Sequence, residues 1–317
     1  MSTYDFRDRS AAARGRAANV SKAAQSFCRK GSGSYRDYVN TFQSVSDMNL
    51  IRAVLGYRTT DFVGYSGGTW MGAYVQKYFP KASGRFVLDS NTDLTAPLSA
   101  TFLAQPQAFP RRFEADFQTW AARYNATLHL GRTPAAVEAF YEKLRADLVR
   151  RPLVVEGQDD PITVDGNYLD SGITSSLYTK DYFAGLADAL GQIRELWNAG
   201  TRVDASSAAL RGFIDRARSM PMAEDPAVAA NATFLAITCN DTPWPRGQAF
   251  ADAFSARQGK LYPLLGWSEN QNPCYYWNRP ALSMTAPDGA GVGTTLMVQS
   301  VHDPATNARL AYAAQAK

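Results

Sequence analysis

D-F-V-G-Y-S-G-G-T-W-M-G-A, residues 61 to 73, joins a short apolar run to a helix-compatible one through Gly64-Tyr65-Ser66-Gly67-Gly68. This spacing predicts a sharp strand-to-helix turn with Ser66 at its tip, a nucleophile elbow. The turn holds the serine in a strained backbone conformation, and glycines two residues to either side let strand and helix approach closely. The Ser66 hydroxyl is then presented at the carboxyl end of the strand and at the amino end of a helix, whose N–H groups favour an oxyanion. Trp70, Met71, Tyr74, Val75 and Tyr78 are the apolar positions of the following helix, and Pro80 stops it. The plainer alternative is a glycine-rich turn whose serine only caps a helix.

The flanks have the rhythm of a parallel α/β sheet. Upstream, Asn40 or Thr41 can cap a helix in which Phe42, Val45, Met48, Ile51 and Leu55 recur at three- and four-residue steps, and Gly56 ends it. Further upstream, residues 1 to 36 are rich in Ala, Arg and Ser and predict a helix around Ala11 to Arg29 before the Gly31-Ser32-Gly33-Ser34 break. Downstream, Arg85-Phe86-Val87-Leu88 reads as a second strand that starts after Ser83-Gly84 and ends at Asp89-Ser90. Helix, strand, elbow, helix and strand in succession predict an α/β fold.

Between Asn91 and about Ala230 the pattern becomes helical, with runs at 111–124, 134–150, 182–198 and 207–219 and a polar turn at 156–161. An inserted helical subdomain accounts for this, and Phe113, Phe117, Trp120 and Tyr124 read as its packing core rather than a substrate cage. The chain returns at Ala232 to Ile237, passes through Thr238-Cys239-Asn240-Asp241-Thr242-Pro243-Trp244, and reaches a last strand at 294–299. A helix from about Asn307 to Lys317 follows.

Composition narrows the classes. The 317 residues are 45% hydrophobic and 20% charged, with a net charge of +4 and scattered arginines, so there is no nucleic-acid footprint. No run reaches the roughly 18 apolar residues of a membrane helix, and the first ten residues lack an apolar signal region. Cys28, Cys239 and Cys274 are too widely spaced for a metal site, the histidines are His129 and His302, and neither a metal nor a cofactor is expected. Cys239 and Cys274, in one Trp/Pro-rich region, are either a disulfide in an exported protein or two buried thiols. Asn-x-Ser/Thr matches at Asn19, Asn125, Asn231 and Asn240 are read as chance.

Six segments in order, N-T-F-Q-S-V-S-D-M-N-L-I-R-A-V-L-G, V-G-Y-S-G-G-T-W-M-G-A-Y-V-Q-K-Y-F-P, G-R-F-V-L-D-S, A-I-T-C-N-D-T-P-W-P, N-P-C-Y-Y-W and L-M-V-Q-S-V-H-D-P-A-T, cover most of residues 38 to 309. Together they resemble the tripeptidyl-aminopeptidase-like branch of the α/β-hydrolase serine peptidases, the group that includes prolyl aminopeptidases. The resemblance implies an α/β-hydrolase-type, mainly parallel sheet with an inserted helical cap. The expected divisions are an N-terminal helical segment (1–36), core (37–90), cap (91–231) and core again (232–317). It also implies an exported enzyme acting on peptides with a free amino terminus. Ser66 takes the nucleophile's place, the Gly67 N–H an oxyanion donor's, and Asp303 that of the acid that orients a catalytic histidine. Asp303 beside Pro304 has a structural reading too, as a helix N-cap. Tyr65, Asn240 and Asp241 are the candidates for substrate contact, a carboxylate there being suited to pair with an amine.

Two departures from the family pattern shape the expectation. The triad order is serine, acid, histidine, yet no histidine follows Asp303; His302 precedes it directly, so the two side chains diverge, and His129 falls in the cap. No glycine-rich oxyanion segment precedes residue 40, and only three confident core strands, near 61, 85 and 295, are found. The expectation is a hydrolase chain cut at both ends, with an incomplete sheet and impaired chemistry. The alternatives are a non-catalytic module that binds a peptide or a partner chain, and an esterase or lipase, since the elbow does not tell ester from amide.

Overall fold

The computed structural model describes residues 4–156, 161–200, 202–204, 207–219, 229–279, 281–282 and 284–316. The fold is mixed α/β and mostly helical with a small parallel sheet, consistent with an α/β-hydrolase-like arrangement. It divides into two compact units. One holds Met1–Arg16, Phe109–Met222 and Ala256–Ser268; the other holds Ala17–Ala108, Ala223–Ser255 and Glu269–Lys317. Residues 91–108 thus fall in the unit that holds the elbow, and 1–16 and 256–268 in the unit that holds 109–222.

In the elbow unit, helix α1 (Ala11–Ser32), which begins in the other unit, leads through Gly33 at φ +55° toward α2 (Thr41–Val54). Asn40 caps α2 by accepting the Gln43 N–H at 2.9 Å. Its other end closes as a Schellman turn: Gly56 at φ +76° donates to Ala53, and the Tyr57 N–H reaches back to Arg52 at 3.1 Å. Strand β1 (Thr60–Tyr65), helix α3 (Gly67–Tyr78) and strand β2 (Ser83–Asp89) follow. The last strand of this sheet, β6 (Thr295–Val298), is more than 200 residues further on, and the order is β1-β2-β6, all parallel.

Alternation along the strands decides which side chains meet α3. Phe62, Gly64, Phe86 and Leu88 lie on the α3 side, where Phe86 and Leu88 are buried with Val45, Trp70, Tyr74, Val75 and Leu98. Phe62 and Phe86 stack at 5.4 Å, and a Cβ on Gly72 of α3 would fall 2.7 Å from both Leu88 and Phe62, so the helix sits close on the sheet. The opposite face is uncovered: Val63 and Tyr65 of β1 and Leu296 and Val298 of β6 are all exposed. Parallel sheets ordinarily have both faces covered. The apolar stripe of α2 behaves likewise. Val45 is fully buried, but Ile51 and Leu55 near the helix end are exposed.

A second core in this unit gathers Cys28, Trp244, Tyr275, Trp277 and the Cys239–Cys274 disulfide, whose Cα atoms are 5.0 Å apart. The run at 232–237 lies inside a helix, Ala229–Asp241, which carries Cys239 into that core.

The other unit is dominated by helices, as expected, and adds short strands that the sequence reading does not contain. Helices Pro134–Arg150, Gly166–Ser176, Phe183–Ala199 and Ala208–Ser219 surround a small mixed sheet of β3 (Leu153–Glu156), β4 (Ile162–Val164) and β5 (Arg202–Asp204), in the order β4-β3-β5. These strands are three or four residues long, too short for period-two alternation to register. The polar turn expected at 156–161 falls largely on residues 157–160, outside the described residues; β3 and β4 on its two sides pair antiparallel. The helix expected over 111–124 is instead the end of α4 (Leu98–Arg112), a π-turn at Phe113–Gln118 and a short helix Thr119–Arg123. Phe113 and Phe117 are buried and stacked at 5.5 Å, as packing core, whereas Tyr124, also expected there, is 51% exposed. Arg145 lies between the carboxylates of Asp170 and Asp5, and the Asn167 carboxamide holds Tyr4 and Phe6, which fixes the start of the described chain onto this unit.

The disulfide closes a 35-residue separation. Chain-entropy arguments give such a cross-link about 3–4 kcal/mol. The Cys239→Ser/Cys274→Ser variant is expected to lose stability of that order in urea unfolding, with Cys28→Ser, which breaks no cross-link, losing distinctly less.

Candidate active site

Ser66 stands between β1 and α3 at φ 52°, ψ −119°. A non-glycine residue in such a conformation costs about 1–3 kcal/mol and persists only where its surroundings over-determine it. Here they do. The Ser66 N–H donates to the Asp89 carbonyl at 3.0 Å, and its carbonyl accepts both the Thr69 N–H at 2.9 Å and the Thr69 hydroxyl at 2.6 Å. Thr69 Oγ1 in turn accepts the Thr92 N–H at 3.1 Å, and all these Thr69 and Thr92 groups are buried. Gly64 makes the approach possible: a Cβ there would lie 2.5 Å from the Gly68 carbonyl oxygen and 2.7 Å from the Phe62 ring. Gly68 differs from the expectation, for its own Cβ would meet nothing within 4 Å. Only one of the two flanking glycines is needed for close approach.

Ser66 and Gly67 are exposed, and among the described residues no side chain hydrogen-bonds the Ser66 hydroxyl. The Gly67 N–H belongs to the first turn of α3, where backbone donors have no acceptor within the helix. A hydroxyl and an outward N–H at one helix start are the two groups that acyl transfer needs from the nucleophile side. Tyr65, 66% exposed, projects from the uncovered sheet face beside them.

The three strand ends form one shelf. Ser66 follows β1, Ser90 follows β2 and Gln299 follows β6. The Gln299 side chain accepts the Asn91 N–H at 2.7 Å and donates to the Thr306 carbonyl at 2.8 Å, while Asn91 Nδ2 donates to the Leu88 and Val298 carbonyls. Asp303 lies in the loop beyond Gln299, half-buried, with Oδ1 accepting the Ala305 and Thr306 N–H groups at 2.9 and 2.8 Å. It therefore shapes that loop, and the following helix (Ala308–Gln315) is capped by Asn307 rather than by Asp303. His302 is exposed beside it. His129, in the other unit, ends a short helix with a left-handed φ of 53°. Among the described residues of this unit no hydrogen bond joins His302 to Ser66 Oγ or to the Asp303 carboxylate.

Asn240 and Asp241 are buried and committed to structure. Asn240 Nδ2 donates to the Arg36 and Val39 carbonyls, and its Oδ1 accepts the Trp277 indole N–H at 2.7 Å. Asp241 accepts the Thr41 N–H at 2.9 Å and the Trp70 indole N–H at 3.1 Å. Burial pushes the Asp241 carboxyl above the ordinary carboxylate range, and the bonds from Thr41 and Trp70 hold it back. In this arrangement neither side chain faces a ligand; they anchor α2 and α3 instead. Thr69, Asp89, Ser90 and Thr92, which support or border the elbow, are not singled out by the sequence; the one signal for Asp89, Ser90 and Thr92 is their position at and just after a strand end, and for Thr69 its place in the first turn of α3.

Among the described residues, no group of three or more His, Cys, Asp or Glu side chains is arranged to hold a metal, and no helix is long and apolar enough to cross a membrane.

No family model matches the chain. It is similar to the tripeptidyl aminopeptidase of Streptomyces lividans, 30% identical over 289 residues that make up 88% of this chain and 50% of that protein. The tripeptidyl aminopeptidase of Streptomyces coelicolor gives 30% identity over the same length. Serine protease Hip1 of Mycobacterium tuberculosis is 27% identical over 285 residues, 85% of this chain and 51% of its own. The chain spans about half the length of the curated relatives it matches. Their names, one an aminopeptidase and the other a serine protease, support a serine-peptidase relationship.

Gly64→Ala is expected to lower stability by about 1–3 kcal/mol through overpacking. Gly68→Ala is expected to be near neutral. Urea unfolding midpoints of the two variants check this, and equal losses would remove the distinction between the two glycines.

Proposed function

We propose that this chain carries the nucleophile of a serine peptidase acting on peptides with a free amino terminus, with Ser66 as the attacking group. The observation that carries the reading is the exposed Ser66 at φ 52°, ψ −119° between a parallel strand and a helix start. A base takes the Ser66 proton as Oγ attacks the scissile carbonyl, and the Gly67 N–H stabilises the oxyanion. The base then gives its proton to the leaving amine, and water hydrolyses the acyl-enzyme. Asp303 is the proposed acid, through its remaining carboxylate oxygen. The insertion expected at 91–231 is proposed as a helical cap, and the disulfide supports an oxidising, extracellular compartment.

With no hydrogen bond between His302 and Ser66 among the described residues, the 317-residue chain is expected to cleave a tripeptidyl p-nitroanilide several powers of ten more slowly than an intact triad enzyme. Added imidazole is expected to raise that rate in the native chain and not in Ser66→Ala, and a fluorophosphonate probe to label Ser66 faster in its presence. Turnover at ordinary enzyme rates that survives Ser66→Ala would sink the proposal. So would the absence of any Ser66-dependent gain with imidazole. A second reading, a peptide-binding module without chemistry, draws on the uncovered sheet face and predicts peptide affinity with no Ser66 labelling under either condition.

A further inference from the structure

The carboxylates bordering the elbow's sheet differ in what they hold. Asp61 is paired with Arg85, whose guanidinium reaches it at 2.6 Å. Asp93 accepts the Thr95 N–H and hydroxyl. Asp241 is buried with both oxygens bonded, and Asp303 is engaged by two backbone N–H groups. Asp89, at the end of β2, accepts the fewest bonds of these. It is half-exposed, its Oδ1 accepts only the Ser90 hydroxyl at 3.1 Å, and among the described residues no cation pairs with it. The one basic side chain on β2 is Arg85, already held by Asp61 at the opposite end of the strand.

Register places this carboxylate beside the nucleophile. Asp89 is the ladder partner of Tyr65 on one side and of Val298 on the other, so the three side chains form one row on the uncovered face. Tyr65 immediately precedes Ser66, and the Asp89 carbonyl is the acceptor for the Ser66 N–H. Ser90 adds a second non-glycine residue in the left-handed region, φ 61°, directly after Asp89. Strain of this kind collects at functional sites, and here it accompanies a hydroxyl bonded to Oδ1 while Oδ2 is left without a partner.

We infer that Asp89 receives the protonated α-amine of the peptide, with Tyr65 and Val298 as apolar walls to either side of it. The inference rests on the serine-peptidase reading and deepens it by assigning the group that recognises a free amino terminus. An ammonium offers three donors to a carboxylate with a vacant oxygen, a charge-assisted contact stronger than a neutral one. Asn240 and Asp241, the amine partners expected from the sequence, are occupied in the core, whereas Asp89 lies in the strand row beside Tyr65.

Calorimetric titration of the purified 317-residue chain with trialanine amide and with its N-acetylated form tests this without requiring turnover. The free-amine peptide is expected to bind roughly tenfold or more tightly than the acetylated one, the scale of a hydrogen bond to a charged group. Asp89→Asn is expected to abolish the difference while its thermal unfolding stays that of the native chain, and Ser66→Ala is expected to keep it. Equal affinity of the native chain for the two peptides overturns the assignment whether or not the variant folds, as does discrimination that survives in Asp89→Asn. Discrimination that persists when Ser66 fails every reactivity test overturns the serine chemistry alone, and Ser66 reactivity without discrimination overturns the amine site alone.

Discussion

The hydrogen bond from the Ser66 N–H to the Asp89 carbonyl is the interaction on which the rest of the elbow depends. It extends the β1–β2 ladder by one residue past the end of β1, so a backbone that has left the strand is still tied to the sheet. Thr69 then takes the Ser66 carbonyl with two donors, and a left-handed serine is clamped from both sides. Each bond contributes a net of about 1 kcal/mol, enough together to offset a strain of about 1–3 kcal/mol. Remove the strand neighbour and the conformation has no reason to exist.

That dependence spreads outward. β2 can offer the Asp89 carbonyl only because β6 holds its other edge, and β6 is fastened in turn by Asn91 and Gln299 bridging the strand ends. On the helix side, the buried Asp241 carboxylate joins the start of α2 to Trp70 of α3, which fixes the helix whose first N–H groups face the serine. Polar groups that looked like ligand contacts are the braces of the site. The groups left for a ligand are those that nothing else uses.

How much of this was legible in the sequence follows from the range of the interactions. The elbow, both of its strands, the Asn40 cap and the Gly56 stop are local, governed by side chains a few residues apart, and could be read directly. The parallel strands near 61, 85 and 295 were found because each is a compact apolar run bounded by turn residues. β3, β4 and β5 were not, since three or four residues carry no period. The commitment of Asn240 and Asp241 was hidden because their partners, Arg36, Thr41 and Trp70, lie 171 to 204 residues away. Asp89 went unnoticed for the opposite reason. Nothing in G-R-F-V-L-D-S distinguishes a carboxylate with a vacant oxygen from one that is paired, and only the ladder sets it beside Tyr65.

The bridge between Asn91 and Gln299 spans 208 residues of chain. On a ribosome moving at about 5–20 residues per second, the elbow emerges roughly 10–40 s before the strand that completes its sheet. During that interval β2 lacks the partner that later takes its second edge, and an edge left bare is open to other pairings. The strained serine is thus made well before the strand that completes its shelf, and the intervening chain must fold without capturing that edge. The long excursion between β2 and β6 makes this a slow-maturing architecture, in which the finished site waits on a contact of high sequence separation.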